Sequence, residues 1–299
     1  ILESLSQYSS YKSDKGRWYD NLRSSWNAAP KLLVTTRVLE ALSEIDPSSP
    51  QISQICQWLV LQRETQDWGS LRNTAEVVNA VLSASPEWTA GSSEAVVSLG
   101  GNVISPSERE ALTGAFTISI SPEEASGQVL DVRKSTGGPS WGGVISQYVA
   151  PISEVKAASV PDLSLSKKFY LIKGDDASEA VAVDGSYRFK AGDRVRVTFN
   201  ITCGRDMDYV ALTDERPACF SPSDQVSGYT SSDRLFFYRE VRSATTSLFF
   251  SYLPKGKYVV SYDVFVTQEG TYAAGVSTIQ SQYAPMQVAH TSGAEVQVF

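Results

Sequence analysis

Residues 57–82, QWLVLQRETQDWGSLRNTAEVVNAVL, decide how the N-terminal part of this chain folds. Read at the helical period, they form two apolar-faced helices joined by a polar turn, Gln66-Asp67-Trp68-Gly69. One such hairpin cannot bury its own apolar stripe, so it must stack on copies of itself, as in an α/α toroid. Upstream, Thr35, Val38, Leu39, Leu42 and Ile45 recur at i, i+3, i+4, i+7 spacing until Asp46-Pro47-Ser48-Ser49-Pro50 ends the helix. Ile52, Ile55, Trp58, Leu59 and Gln62 carry the pattern through a second helix, with Cys56 on its apolar side as a small buried hydrophobe. Leu71, Ala75, Val78 and Leu82 share one face of a third. Short breaks imply antiparallel neighbours, with room for only about two hairpins. The opening segment (Tyr8, Tyr11, Trp18, Tyr19, Trp26) is broken by Lys15-Gly16 and reads as a helix end followed by a packed loop.

Beyond about residue 90 the period changes. Ala95-Val96-Val97, Phe116–Ile120, Val129–Val132 and Gly143–Val149 read as short strands, separated by Gly100-Gly101, Pro122 and Gly137-Gly138-Pro139. Ser107–Leu112 is the one place where a helix fits. From about 166 onward the alternation sharpens. Val195, Val197, Phe199 and Ile201 line one face, with Arg196, Thr198 and Asn200 on the other. Tyr258, Val260, Tyr262, Val264 and Val266 repeat that period after a turn at Pro254-Lys255-Gly256, and Val296 and Val298 make a last edge strand. Strands at this spacing predict an antiparallel β-sandwich.

Composition narrows the chemistry. A chain of 299 residues, 42% hydrophobic and 20% charged, is globular and long enough for two or three domains. Its first residue is Ile1 rather than methionine, so the native N-terminus and any signal peptide or lipid anchor are expected to lie outside it. No apolar run reaches membrane-spanning length. A net charge of −7, with no basic cluster, argues against nucleic acid. Three cysteines without a CxxC pair and a single histidine argue against a zinc site, and no Gly-x-Ser-x-Gly elbow accompanies His290. The run Asp206, Asp208, Asp214, Glu215 lacks calcium-loop spacing and reads as a turn with Arg205 and Arg216 as charge partners. Pairing Cys203 with Cys219 would close a loop of about 16 residues and stabilise an exported fold by about 3 kcal/mol. Gln66-Asp67-Trp68-Gly69 resembles the Gln-Trp turns of toroid proteins, where the indole packs across repeats and the Asp caps the next helix.

Several segments, in order, resemble the bacterial α2-macroglobulin family, in particular its Bacteroidetes version. They are Leu33–Ile45, Trp58-Leu59 through Trp68 and on to Asn73-Thr74-Ala75-Glu76, and Pro139-Ser140-Trp141-Gly142-Gly143. Arg205-Asp206-Met207-Asp208-Tyr209-Val210, Ser227-Gly228-Tyr229, Ser247–Phe250, Leu253–Tyr258 and Tyr283-Ala284-Pro285 continue the series. The resemblance implies an α+β multidomain chain in three parts. Residues 1–90 are the last hairpins of a thioester-type α/α toroid, 91–165 the returning half of a CUB-like β-domain, and 166–299 a C-terminal macroglobulin β-sandwich.

The implied parent is a periplasmic or cell-surface protease trap, exported and open to lipid anchoring, whose partners are target proteases. Cleavage of a bait region rearranges such a molecule, and in thioester members it exposes a strained Cys–Gln acyl donor. The C-terminal macroglobulin domain helps cap that bond. Trp68, Gln282 and Tyr283 are therefore the candidate domain-interface residues. The family's Cys-x-Glu-Gln is absent here: the cysteines begin Cys56-Gln57-Trp58, Cys203-Gly204-Arg205 and Cys219-Phe220-Ser221. Gln282 replaces the methionine that precedes the tyrosine in many relatives, which favours a parent without a thioester. The chain is expected to be a monomeric scaffold and latch with no catalytic residues, cofactor or metal. Two rivals remain: an α/α-toroid enzyme, and an adhesion or carbohydrate-binding module using the aromatics of the first 30 residues.

Overall fold

A computed structural model describes residues 2–20, 30–86, 95–110, 114–134, 142–174, 176–182 and 186–299. The chain gathers into two compact units, Ile1–Arg63 with Trp68–Gly143, and Glu64–Asp67 with Val144–Phe299. Trp26, the Gly137–Pro139 turn and Pro139–Trp141 lie outside the described residues.

The first unit begins with α1 (Leu2–Gln7) and a hairpin of β1 (Ser10–Lys12) and β2 (Gly16–Trp18) where a packed loop was expected. Gly16 makes this possible. Its φ is +79°, and a Cβ there would collide with the Gln54 carbonyl of the neighbouring helix. The hairpin lays Trp18 on Trp58, ring centroids 6.2 Å apart, with the Lys31 ammonium 5.2 and 5.3 Å from the two rings. Helices follow at α2 (Pro30–Ile45), α3 (Pro50–Thr65) and α4 (Leu71–Ala84), the first two opening on a proline where no N–H is needed. Their core is Leu39, Leu42, Ile55, Cys56, Leu59 and Val77, all 2% exposed or less.

Two details differ from the sequence reading. Ser70 rather than Asp67 caps α4, its Oγ accepting from the Asn73 amide at 3.1 Å. The buried face of α4 is Val77, Ala80 and Val81, while Leu71, Val78 and Leu82 are 90%, 41% and 41% exposed. The helix carries two apolar stripes one residue out of phase. The stripe of smaller side chains lets α4 approach α2 most closely, so that one is buried.

The unit ends in a three-stranded sheet, order β4-β3-β5, from β3 (Val96–Leu99), β4 (Asn102–Ile104) and β5 (Leu130–Arg133). A four-residue helix, α5 (Pro122–Ala125), precedes β5 and starts on a Ser121–Glu124 capping box. Phe116–Ile120 and Gly143–Val149 lie in no strand, and no helix forms through 107–110. Alternation alone does not make a strand without a neighbouring backbone to complete the ladder.

The second unit is a sandwich. One sheet has the order β11-β15-β9-β6-β7: β6 (Leu163–Lys173), β7 (Asp176–Glu179), β9 (Arg194–Cys203), β11 (Phe220–Pro222) and β15 (Gly256–Val266). The other runs β12-β13-β14-β10-β17-β18: β10 (Met207–Glu215), β12 (Gly228–Ser232), β13 (Leu235–Val241), β14 (Thr245–Leu253), β17 (Ser277–Ser281) and β18 (Val288–His290). Both sheets are antiparallel. Inward-facing residues of both form one core, in which Val195, Val197, Phe199 and Ile201 meet Val210, Leu212, Leu248 and Phe250. A smaller sheet joins β8 (Ser186–Phe189), β16 (Gly270–Ala274) and β19 (Ala294–Val298). The last strand is central in it, antiparallel to β16 and parallel to β8, rather than an edge.

Candidate docking turn around Tyr209 and Tyr283

The second unit concentrates its irregular backbone where β9 passes into β10. Gly204 donates to the Asp162 carbonyl at 2.8 Å, which turns the chain. Arg205 then donates to Glu64 at 2.6 Å and lies 3.5 Å from Asp162. Asp206 accepts the Lys255 amide on Oδ1 at 2.7 Å, while its carbonyl accepts Thr65 Oγ1 at 3.2 Å. Asp208 accepts the Asp67 amide at 3.2 Å. These carboxylates therefore serve backbone N–H groups, and no His, Cys, Asp and Glu cluster able to hold a metal occurs among the described residues. Burial, with Asp206 and Asp208 beside it, pushes the Tyr252 phenol up to about 12.

Tyr209 follows with φ +52°, a conformation that costs a side-chain-bearing residue about 1–3 kcal/mol and needs its surroundings to hold it. Its carbonyl accepts the Gln282 amide at 2.9 Å. Its ring, half exposed, meets the Tyr283 ring edge-on with centroids 5.3 Å apart. Tyr283 itself is 75% exposed. The turn that carries it is closed by Ser281 N–H to Gln287 O (3.0 Å), Gln287 N–H to Ala284 O (2.8 Å) and Gln280 Nε2 to Pro285 O (3.0 Å). Gln287 also donates to Glu64 at 3.2 Å. A large aromatic side chain is thus presented to solvent on a fixed backbone.

Trp68 belongs to the first unit. Its indole is partly buried on the helical core and donates to the Leu59 carbonyl at 3.3 Å. Gln282 and Tyr283 lie together on the turn just described, and Trp68 has its own role as a helix-turn anchor.

The other candidates separate. Asp214 is far from Asp206 in function: it is 2% exposed and bridges the two sheets. It accepts Lys167 Nζ at 2.9 Å and Ser277 Oγ at 2.5 Å on Oδ1, and the Tyr262 hydroxyl on Oδ2. Burial first, then Asp214, pushes the Tyr262 phenol well above its ordinary value, so it remains a donor. Arg216 donates to Thr246 Oγ1 and to the Arg242 and Ser243 carbonyls. His290 sits in β18, its Nδ1 3.1 Å from the Thr291 carbonyl, with no nucleophile joined to it among the described residues. The Cys203–Cys219 bridge is not formed. Cys203 faces Gly256 at one end of β15, and Cys219 precedes Phe220, which faces Val266 at the other. Ten residues of strand span about 33 Å, far beyond the reach of a disulfide. Burial raises both thiols to about 11.

Residues 163–285 match the family described as the bacterial alpha-2-macroglobulin MG10 domain. No curated protein matches the chain. Among solved structures, Salmonella alpha-2-macroglobulin mutant Y1175G aligns over 89% of this chain and 17% of its own, at 17% identity and TM-score 0.38. Trypsin-activated alpha-2-macroglobulin from Escherichia coli aligns over 91% of this chain and 19% of its own, at 12% identity and TM-score 0.45. The Escherichia coli protein activated by porcine elastase aligns over 89% and 23%, at 14% identity and TM-score 0.43. The chain therefore spans less than a quarter of the length of these proteins.

Proposed function

We propose that this chain, whose residues 163–285 match the MG10 domain of bacterial alpha-2-macroglobulins, belongs to a protein of that family and is the scaffold and conformational latch of its protease trap. The observation that carries this reading is Tyr283, three-quarters exposed on a turn whose backbone is closed on itself and braced by the strained Tyr209. An exposed aromatic on a rigid support loses little entropy on docking, which is what a latch needs. Gln282 beside it adds a polar amide to the surface that would dock.

The helical residues 1–90 fit the closing hairpins of an α/α toroid. The second apolar stripe of α4, Leu71, Val78 and Leu82, is the kind of face that a further hairpin covers. Residues 91–165 fit part of a CUB-like domain, and 166–299 the macroglobulin domain. In this reading the chain has no catalytic step of its own, and the protein that contains it works on proteases at the periplasm or cell surface. No helix among the described residues is long and apolar enough to cross a membrane.

The experiment uses the full-length protein. After incubation with elastase, a trap leaves the protease active on a small peptide substrate and inactive on a large protein substrate. Tyr283→Ala should make the rearranged form appear before any protease is added, seen as a mobility shift on a native gel. Unchanged mobility and unchanged trapping by that variant would remove Tyr283 from the latch.

A further inference from the structure

One carboxylate joins the two loops that carry Tyr209 and Tyr283. Glu64, grouped with the second unit, accepts Arg205 Nη2 on Oε2 at 2.6 Å and Gln287 Nε2 on Oε1 at 3.2 Å. Arg205 opens the segment that leads to Tyr209, and Gln287 closes the turn that presents Tyr283. The neighbours of Glu64 are fastened to the first of these segments. Thr65 Oγ1 donates to the Asp206 carbonyl at 3.2 Å, and the Asp67 amide donates to Asp208 Oδ2 at 3.2 Å.

This junction is sheltered, which separates it from an ordinary surface ion pair. The Arg205 side chain is 15% exposed and that of Glu64 34%. Asp162 stands 3.5 Å from Arg205 Nε, so losing Glu64 does not strand the arginine's charge. Gln287 Oε1 is buried and meets no donor among the described residues, so the bond to Glu64 is what fixes the direction of this amide. Tyr209, at φ +52°, holds its conformation only while its surroundings impose it, and its carbonyl accepts the Gln282 amide.

We propose that Glu64 is a positioning residue for Tyr283. It clasps the 205–208 segment to the 281–287 turn, so the two tyrosines keep one arrangement while Glu64 is in place and loosen together when it is withdrawn. What the clasp is for rests on reading Tyr283 as the latch. Its existence is measured without that reading.

The test is amide hydrogen exchange on the 299-residue chain. The Gln282 and Gln287 amides report on the Tyr283 turn, and the Lys255 amide, bonded to Asp206, reports on the other segment. Glu64→Ala should speed exchange at all three on the order of tenfold, the size of a lost charge-assisted hydrogen bond, with β9 and β15 unchanged. Gln287→Met, which removes one donor at constant length, should speed Gln282 and Gln287. No change at either probe set in Glu64→Ala would overturn the proposal, as would Gln282 and Gln287 amides indifferent to Gln287→Met. An equal rise throughout β9 and β15 would overturn it too, because Glu64 would then serve only global stability. In the full-length protein Glu64→Ala should bring on the rearranged mobility before protease is added, as Tyr283→Ala does. A shift in Tyr283→Ala alone would sink the clasp and leave the latch; loosened probes with no shift in either variant would sink the latch and leave the clasp.

Discussion

Replacing Lys167 by methionine should be the most damaging single polar change in the second unit. Lys167 is an inward-facing residue of β6 with a side chain 6% exposed, and its partner Asp214 is 2% exposed. Methionine keeps the length of the stem and removes the ammonium. The Asp214 carboxylate is then left with two hydroxyl donors, Ser277 and Tyr262, and no charge partner at hydrogen-bond distance. Breaking one side of a buried ion pair costs about 3–5 kcal/mol, because the remaining charge is stranded. For a unit of this size that corresponds to a melting shift of roughly 6–20 °C. The double variant Lys167→Met with Asp214→Asn removes the stranded charge while keeping an acceptor for both hydroxyls, so it should recover at least half of the loss. Urea unfolding followed by far-UV circular dichroism measures both. A loss below about 1 kcal/mol in the single variant, or a double variant as unstable as the single one, would refute the argument that this pair is dry and energetically coupled.

Asp263 is held below the usual carboxylate range, chiefly by its hydrogen bonds to Arg196. A depressed carboxylate stabilises the fold above its unfolded value and loses that contribution as pH falls through the folded one. Asp263→Asn should therefore cost about 1 kcal/mol above pH ~5 and progressively less below it, read from melting curves across pH, since the arginines are half exposed. Cys56, Cys203 and Cys219 should react with a thiol reagent only slowly in the folded protein and as three free thiols in denaturant; two fewer would show a bridge. Methylamine should add no mass to any of them. Leu71→Gln with Leu82→Gln should lower self-association at little cost in stability, as measured by sedimentation and melting. Amide hydrogen exchange should be faster in α2–α4 than in β9 and β15.

Alternation at period two named the cores of β9 and β15 residue by residue, because both strands are flanked on each side and each has one face in the core. The same rule, pressed further, would have found the buried ion pair. Lys167 stands in register with Leu163, Leu165 and Phe169, and Asp214 with Val210 and Leu212, so each is a charge on an inward position. The helices were legible as helices, but the buried face of α4 was not. A helix with two apolar stripes offers two solutions, and only the packed neighbour selects the one whose smaller side chains allow the closer approach. Phe116–Ile120 failed for a related reason: strand pairing is non-local, and a five-residue run does not state whether a partner backbone will arrive. The disulfide failed because sequence separation says nothing about which end of a strand each cysteine reaches. Tyr283 was singled out by its motif, and its exposure on a closed turn is what the structure adds. The strained Tyr209 that braces it, a tyrosine at positive φ, had no sequence signal.

The latch reading is tested most directly by hydrogen exchange on the full-length protein before and after limited elastase treatment, followed at the amides of 281–287 and of 205–209. The account predicts strong protection of both segments in the untreated protein, because Tyr283 is then covered. It predicts faster exchange once the chain has been cleaved and has rearranged. Equal exchange in the two states, with the turn as open before cleavage as after it, would contradict the claim that Tyr283 holds anything shut.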